Sequence, residues 1–327
     1  VVFANHASRK MLDANLKAPR VAVLQGGPSA EHDISLQSAA AVSQALRDAG
    51  LVVDQIDVEN RTLPRLPSDT EVVFPVLHGA FGEDGGVQSL LENADLPYVG
   101  SGPHASTDIM SKNVTKQKLI EQGIATPAYQ LISSPETALP DNLRFPLVVK
   151  PVSQGSTYGL TKLRSPTGWW KRALNTAFKV DSKVMAEEFV EGVEITVGVL
   201  DGEPLPVVEI VPPKGRIFDF DAKYQHKRGH THYYCPPQSV AQRLQKKAQD
   251  IARKVYAILG ARDMLRVDMI IDPHGTVWVL EANSIPGFTA TSLLPMAARA
   301  TGISFPELCA RLVKRARGRN RGFDLKP

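Results

Sequence analysis

The sequence contains only two cysteines, and no apolar run approaches the ~20 residues that a membrane-spanning helix needs. Cys235 and Cys309 lie far apart, and neither belongs to a Cys-x-x-Cys pair. This excludes a disulfide framework and a cysteine-based zinc site, and it fits a reducing compartment. We therefore predict a cytoplasmic protein without a membrane segment, with both thiols packed rather than reactive.

A basic face on the folded body is also missing, although the whole chain carries a net charge of +4. The first twenty residues carry +3 and the tail from Arg311 to Pro327 carries +6, so the residues between them carry −5. A nucleic-acid function is therefore not expected. The first twenty residues lack the apolar core of a secretory signal, and we predict a disordered or extended lead. The basic tail is predicted to be a solvated extension.

The length of 327 residues exceeds the usual limit of a single core, which predicts two or three domains. Apolar strands at 20–24, 51–57 and 72–77 alternate with a helical pattern at 33–49, which is typical of an α/β fold with a parallel sheet. A second helix is predicted over 110–123, with Gly123 closing it. Later helices are predicted over 240–259 and 305–315.

Two polar turns follow the first strands. The turn Gly26-Gly27-Pro28-Ser29-Ala30-Glu31 opens a helix but lacks G-x-G-x-x-G spacing, and Glu31 would repel a pyrophosphate. Glu31 is better placed to hold an ammonium group, or it only favours the helix N-terminus. His78 ends the strand at 72–77, where α/β sheets bind ligands, although a single histidine is often structural.

Three features in the middle of the chain are compatible with a phosphate-bearing ligand. Lys150 precedes a loop rich in glycine and hydroxyl groups, Ser153 to Gly159, which could cap phosphates although it is not a Walker A loop. Such a loop can also be a simple linker. Glu187 and Glu194 flank a bend that suits an adenine hinge, and two surface acids are the alternative.

A hairpin near residue 270 gives the most specific signal. Strands at 267–271 and 276–280 enclose the turn Asp272-Pro273-His274-Gly275. An even-length loop places Asp268 on the same face as Glu281 and Asn283, and three oxygen-bearing groups suit Mg²⁺. Solvated surface acids are the alternative, but the neighbours are strongly apolar. We expect Arg266 to begin on the opposite face, unless a twist or bulge redirects it.

Six motifs occur in order along the chain: Gly26 to Glu31, His78-Gly79-Ala80-Phe81-Gly82-Glu83-Asp84-Gly85, Lys150-Pro151 with its loop, Ala222-Lys223-Tyr224, Arg266-Val267-Asp268, and Glu281-Ala282-Asn283 through Pro286-Gly287. Taken together, they resemble the D-alanine–D-alanine ligase family of the ATP-grasp superfamily over residues 20 to 315. The resemblance implies three α/β domains at 21–101, 102–188 and 189–327, with ATP gripped between the second and third.

Carried over residue by residue, the resemblance implies roles for each position. The ATP-binding set is Lys112, Lys150, Ser156, Thr157, Glu187, Phe189, Val190, Glu194 and Lys223. Asp268, Glu281 and Asn283 are implied to bind two Mg²⁺, with Mn²⁺ as a substitute and a monovalent cation as an activator. Glu31 and His78 are implied to face the first D-alanine, and Ser292 and Leu293 the second. Arg266 and Gly287 are implied to lie at the reacting carbonyl, and Tyr224 to hydrogen-bond toward Ser156 and Glu31.

The implied reaction joins two D-alanines through an acyl phosphate, for peptidoglycan precursor synthesis, in a cytoplasmic homodimer. Two alternatives stay open. One is a D-alanine–D-lactate ligase, which Tyr224 argues against because those relatives lack the Ala-Lys-Tyr loop residues. The other is a different ATP-grasp carboxylate–amine ligase, which Glu31 and His78 argue against.

Overall fold

The structure is a computed structural model that describes residues 18–155, 158–166, 168–213 and 230–319. Its first part is a parallel three-stranded sheet, as predicted, in the order β2-β1-β3. The strands are β1 (Arg20–Gly26), β2 (Val52–Val58) and β3 (Val72–Pro75), with helices α1 (His32–Asp48) and α2 (Gly86–Asn93). Parallel pairing puts the carboxyl ends of β1 and β3 at one edge, so the turns leading to Glu31 and His78 lie side by side.

The helix predicted over 110–123 is confirmed within two residues at each end, and a further helix that was not predicted lies directly before it. Helix α3 (Pro103–Met110) ends at Ser111, which is extended at φ −84° and ψ 99°, and α4 (Lys112–Glu121) follows. The break has a tertiary cause. The backbone N–H of Lys112 donates to the carbonyl of Val152, 3.2 Å away, instead of continuing the helix. Lys112 is thereby placed beside the glycine loop.

The middle of the chain forms a four-stranded antiparallel sheet in the order β4-β7-β5-β6. Its elements are β4 (Tyr129–Ile132), β5 (Leu147–Pro151), β6 (Thr161–Leu163), helix α5 (Trp170–Phe178) and β7 (Val184–Glu188). Leu147, Val149, Leu174 and Val184 are fully buried in a core of its own. The alternating apolar residues of β5 and β7 thus face α5.

The last part contains the largest sheet, with the path β11-β10-β8-β12-β13 and β9 beside β8. Its strands are β8 (Val193–Leu200), β9 (Glu203–Pro204), β10 (Val208–Val211), β11 (His232–Tyr234), β12 (Met264–Ile271) and β13 (Val277–Asn283). The helices are α6 (Gln242–Ile258), α7 (Leu293–Ala300) and α8 (Phe305–Gly318). In the described part of the chain, no helix is long and apolar enough to cross a membrane.

One hydrophobic core joins the first and last parts. Phe74 of β3 packs against Phe288, which in turn packs against Phe305, with ring centroids 5.8 Å and 5.7 Å apart. Cys309 is buried in the same core, as predicted for a packed thiol. This shared core fixes the first sheet relative to the last one. The domain boundaries 21–101, 102–188 and 189–327 stay a prediction.

The described start of the basic tail is not a solvated extension, which corrects the prediction. Arg311 and Arg315 of α8 both pair with Asp201, Arg317 pairs with Glu71 at 2.6 Å, and Arg319 pairs with Asp263 at 2.5 Å. These acids come from distant segments, so the sequence pattern around the arginines did not reveal them. The predicted lead and the end of the tail lie outside the described residues, except for residues 18–20.

Candidate active site

The β12–β13 pair places Asp268 directly across from Glu281, on one face as predicted, but by a different route. The connection between Ile271 and Val277 has five residues, so simple pairing would have placed Asp268 opposite Leu280. The register shifts by one between Asp268 and Met269, with Leu280 as the extra residue. This β-bulge brings Glu281 to the face of Asp268.

Arg266 lies on the same face as Asp268, which corrects the expectation of opposite faces. The two residues are two positions apart in a continuous strand, and side chains in a strand repeat every two residues. Arg266 Nε and Nη2 donate to the two carboxylate oxygens of Asp268 at 2.9 Å and 2.8 Å. The bidentate pair sets the orientation of the guanidinium beside the predicted metal site.

The predicted metal ligands form a compact oxygen-rich group. Asn283 Nδ2 lies 3.3 Å from Asp268 Oδ2, and Thr196 donates to Asp268 Oδ1 at 2.6 Å. Within the described ranges, no cluster of three His, Cys, Asp or Glu side chains forms a metal site. Two carboxylates with one amide oxygen fit Mg²⁺, because that ion completes its shell with phosphate oxygens and water.

The nucleotide-binding candidates meet in a cleft between the second and third sheets. The cleft is lined by Lys112, Lys150, Glu187, Phe189, Val190, Glu194, Asp268 and Glu281 among others. Lys150 Nζ lies 2.7 Å from Glu187 Oε1, and Lys116 Nζ lies 2.6 Å from Glu187 Oε2. Burial acts to raise the pKa of the Glu187 carboxyl, but the two lysine charges outweigh it and hold that pKa below its usual range.

The bend after β7, where an adenine hinge stays a prediction, is held by two contacts of Phe189. The N–H of Phe189 donates to the carbonyl of Pro146 at 2.8 Å, and Lys162 Nζ lies 3.2 Å from the centre of the Phe189 ring.

Lys112 Nζ donates to the carbonyl of Gln154 at 2.7 Å and lies 3.5 Å from Glu281 Oε2. Lys112 therefore holds the start of the glycine loop beside a predicted metal ligand.

A larger cavity of about 550 Å³ adjoins these groups, between the first and last parts of the chain. Glu31 and His78 enter it from the first part, and both are buried, at 8% and 5% exposure. His78 Nε2 lies 3.3 Å from Ser38, and His78 Nδ1 lies 3.7 Å from Glu83. Burial raises the pKa of the Glu83 carboxyl. This end of the cavity therefore suits a cationic or hydrogen-bonding ligand group.

The opposite wall of the cavity carries the remaining candidates, Arg266, Asn283, Gly287, Ser292 and Leu293. Ser292 precedes α7, and its hydroxyl accepts from the N–H of Thr289 at 3.0 Å. Gly287 leaves a close approach open, because an added Cβ would meet only the side chain of Ser292, at 3.4 Å from its hydroxyl and 3.9 Å from its Cβ. Helix α7 thus presents its positive end to the cavity, which suits a carboxylate.

Several groups in the site were missed by sequence reasoning. Glu83 stands in a motif already singled out, and its acidity beside His78 was the available signal. Lys116, Thr196 and Ser38 carry no signal, because a single polar residue in a helix or strand predicts exposure. The predicted residues Ser156, Thr157, Lys223 and Tyr224 lie outside the described residues.

Comparisons with known proteins agree with this arrangement. Residues 54–101 match the family model "D-ala D-ala ligase N-terminus", and residues 119–314 match "D-ala D-ala ligase C-terminus". A D-alanine–D-alanine ligase of Syntrophotalea carbinolica is 43% identical over 91% of this chain and 96% of its own length. One from Aquifex aeolicus is 41% identical over 90% and 99%.

Solved structures give the same result for the fold. The D-alanine–D-alanine ligase of Bacillus anthracis complexed with ATP has a TM-score of 0.80 at 30% identity, covering 93% of this chain and 99% of its own. A D-Ala:D-Ser ligase of Enterococcus faecalis has a TM-score of 0.78 at 27% identity, covering 92% and 100%.

The fold and the paired clefts therefore define an ATP-dependent ligase with a mixed α/β architecture. Within that class, the chain belongs to the D-alanine–D-alanine ligase family.

Proposed function

We propose that this protein uses ATP to join two D-alanines into D-alanyl-D-alanine through an acyl phosphate. The observation that carries the proposal is the meeting of the two sites. The cavity that holds Glu31 and His78 also contains Arg266 and Glu281, and Glu281 lines the nucleotide cleft as well. A substrate carboxylate in the cavity would therefore lie beside the terminal phosphate of a nucleotide in the cleft.

Different residues of the cleft bind different parts of the nucleotide. Lys112 and Lys150 neutralise phosphate charge, and Ser156 and Thr157 in the glycine loop cap the phosphates. Glu187, the backbone of Phe189 and Val190, and Glu194 hold the adenosine. Lys223 adds a further cation. Mg²⁺, or Mn²⁺ in its place, would be held by Asp268, Glu281 and Asn283 and would disperse charge on the transferring phosphate.

In the cavity, Glu31 attracts the ammonium group of the first D-alanine and His78 orients it. Phosphorylation turns a carboxylate oxygen of that D-alanine into a leaving group, and the amine of the second D-alanine then attacks the carbonyl carbon. Arg266 stabilises the charge that develops on the carbonyl oxygen, beside Gly287. Ser292 and Leu293, at the start of α7, hold the carboxylate of the second D-alanine. The family resemblance assigns Tyr224 a hydrogen bond toward Ser156 and Glu31.

The second substrate is the least determined part of the proposal, because one structural relative is described as a D-Ala:D-Ser ligase. We infer D-alanine rather than D-lactate, because Tyr224 belongs to the Ala-Lys-Tyr sequence that ester-forming relatives lack, and the product assay below distinguishes D-alanine from D-serine. The product would serve peptidoglycan synthesis in the cytoplasm, and a homodimer is the proposed assembly, with no nucleic-acid or membrane partner.

The test is phosphate release from ATP with a panel of D- and L-amino acids and D-lactate, with products identified by mass spectrometry. We expect D-alanine to be the only member of the panel that causes phosphate release, with D-alanyl-D-alanine as the product. No release with D-alanine would refute the main proposal. Equal formation of ester from D-lactate or of D-alanyl-D-serine near neutral pH would replace only the second substrate.

A further inference from the structure

Lys116 is a fully buried lysine on α4 that the proposed chemistry does not use, and its exposure is 0%. An ammonium group has three N–H donors, and burial without acceptors would be costly. Lys116 Nζ lies 2.6 Å from Glu187 Oε2, and it donates to the Thr126 hydroxyl at 2.6 Å and the Pro127 carbonyl at 3.0 Å. Two hydrogen bonds and one ion pair therefore compensate the burial of the ammonium group.

These acceptors connect two parts of the site. The Thr126 hydroxyl donates to the carbonyl of Val279 at 2.8 Å, and the N–H of Val279 donates to Ala125 at 2.9 Å. Val279 is the last residue of β13 before the bulge that presents Glu281. On its other side, Lys116 reaches Glu187, which also binds Lys150 at 2.7 Å. One buried ammonium thus links the nucleotide cleft to the strand of the metal ligands.

We propose that Lys116 is a positioning residue for nucleotide binding, which holds Glu187 and Lys150 in place and, through Thr126, fixes β13 next to Glu281. The inference rests on the proposed function, because it assigns the cleft to ATP. Lys116 does not reach the cavity that holds Glu31 and His78, so its effect is on the nucleotide rather than on the amino acids.

The charge of Lys116 is sensitive to pH. The groups that face its ammonium are Glu187 from β7, Lys150 from β5 and the ring of Tyr129 from β4, whose centre is 5.2 Å away. Burial lowers the pKa of Lys116 to about 8, although the charge of Glu187 opposes the shift. As the pH rises through that value, Lys116 becomes neutral and Glu187 keeps only Lys150. Nucleotide affinity should therefore fall on the alkaline side.

The first experiment measures the affinity of the wild-type protein for Mg-ATP by calorimetry from pH 7 to pH 9.5, without D-alanine. We expect an alkaline loss centred near pH 8. Lys116→Met, which keeps the length of the side chain without its charge, should bind Mg-ATP roughly tenfold more weakly at pH 7, as expected for one lost charge-assisted hydrogen bond. Its affinity should no longer fall near pH 8.

Two further variants distinguish a positioning role of Lys116 from a general loss of structure. Thr126→Val removes the hydroxyl that joins Lys116 to Val279 but keeps the pair with Glu187, so it should weaken Mg-ATP binding in the same direction but less. Lys118→Met is the matched control on α4, because Lys118 pairs with Asp108 at 2.6 Å on a partly exposed surface. It should leave the affinity unchanged. For Lys116→Met, the KM for D-alanine should stay within about twofold of wild type, since one ion pair at the nucleotide does not alter amino-acid binding.

Unchanged affinity and an unchanged pH profile in Lys116→Met would overturn the inference. A wild-type affinity that is constant across pH 8 would overturn it as well, even if the methionine variant does not fold. Absence of phosphate release by the wild type would instead contradict the proposed function, so the two failures are distinguishable.

Discussion

Asp268 lies directly across from Glu281 in the β12–β13 pair only because Leu280 is an extra residue in its strand. A five-residue connection follows Ile271, and without the bulge it would leave Glu281 out of register with Asp268. Bulges are frequent beside active sites, where they redirect a side chain. The face that carries the predicted metal ligands is therefore specified by two local irregularities that compensate each other.

Deleting Leu280 should keep Glu281 opposite Asp268, because Glu281 then follows Val279 directly and regular pairing places it there. Inserting an alanine after Leu280 is the matched contrast, because it moves Glu281 one position along the strand and onto the other face. We expect a small effect of the deletion and a loss of roughly 100-fold in kcat/KM for the insertion, from the misplaced ligand. The measurement is phosphate release as a function of Mg²⁺ concentration. Equal magnesium dependence in the two variants would contradict the role of the register.

Arg266→Ala should abolish ligation while sparing ATP binding. The loss of one donor to the developing oxyanion costs roughly 100- to 1,000-fold in rate. Arg266→Lys should be nearly as poor, since an ammonium group cannot reproduce the bidentate pair with Asp268. Single-turnover rates and Mg-ATP affinity, measured on the same samples, check both effects. Comparable turnover by the lysine variant would show that the bidentate geometry is unnecessary.

Local pattern was enough to predict much of the fold. The near-continuous apolar runs of β1, β3 and β12 and the turn residues after Ile271 predicted their strands, because strands that are buried on both faces are apolar throughout. Helix α3 and its separation from α4 at Ser111 were not predicted, since the hydrogen bond from Lys112 to Val152 joins residues that are distant in sequence. The bulge at Leu280 was missed for a related reason, because pairing register is a property of two strands together.

In the candidate site, too, some residues can be predicted from the local sequence and others depend on contacts with distant segments. Glu31, His78, Asp268 and Glu281 stand in dense polar motifs at strand ends, where chemistry can be predicted from position. Lys116 stands in a helix rich in polar residues, and its burial depends on Glu187 and Thr126 in other elements. The two-residue spacing of Arg266 and Asp268 in one strand is enough to predict that they share a face, so the expectation of opposite faces is wrong.

Arg319→Ala should destabilise the protein by about 2 kcal/mol, less than for a fully buried pair because the arginine is partly exposed. Arg319 pairs at 2.5 Å with Asp263, which is 1% exposed and also accepts the N–H of Gly100 at 2.7 Å. The variant leaves a buried carboxylate with only a distant cation. Urea unfolding measures the loss.

The control for this variant is Arg253→Ala. Arg253 pairs with Glu203 at 2.9 Å, but both side chains are largely exposed, at 46% and 76%. Exposed pairs contribute between about 0 and 1 kcal/mol. Equal losses of unfolding free energy in the two variants would show that the pair of Arg319 and Asp263 stabilises the protein no more than an exposed pair does.

Glu83→Gln should change the pH dependence of stability. Burial raises the pKa of the Glu83 carboxyl, so the folded state binds its proton more tightly than the unfolded state. The contribution of protonated Glu83 to the free energy of unfolding is fully present below the ordinary glutamate pKa. It is lost as the pH rises through the raised pKa of the folded state. Glutamine does not titrate. The free energy of unfolding of the wild type should therefore fall relative to the variant, by at most about 1.4 kcal/mol per pH unit in that window. A difference that is constant from pH 4 to pH 8 would contradict the assignment.

Gly79→Ala should damage the first D-alanine site. Gly79 has a φ of +72°, and an added Cβ would lie 2.8 Å from Glu31 Oε2, so the carboxylate must move. Gly50 has a φ of +85° with no atom within 4 Å, which makes Gly50→Ala a control for backbone strain alone. Each variant should lose about 1 kcal/mol of stability. Only Gly79→Ala should raise the KM for D-alanine, by roughly 10- to 100-fold, because a small displacement of a substrate-binding group is costly. A wild-type KM in Gly79→Ala would show that Glu31 does not bind this substrate, since the same strain without the close contact is present in Gly50→Ala.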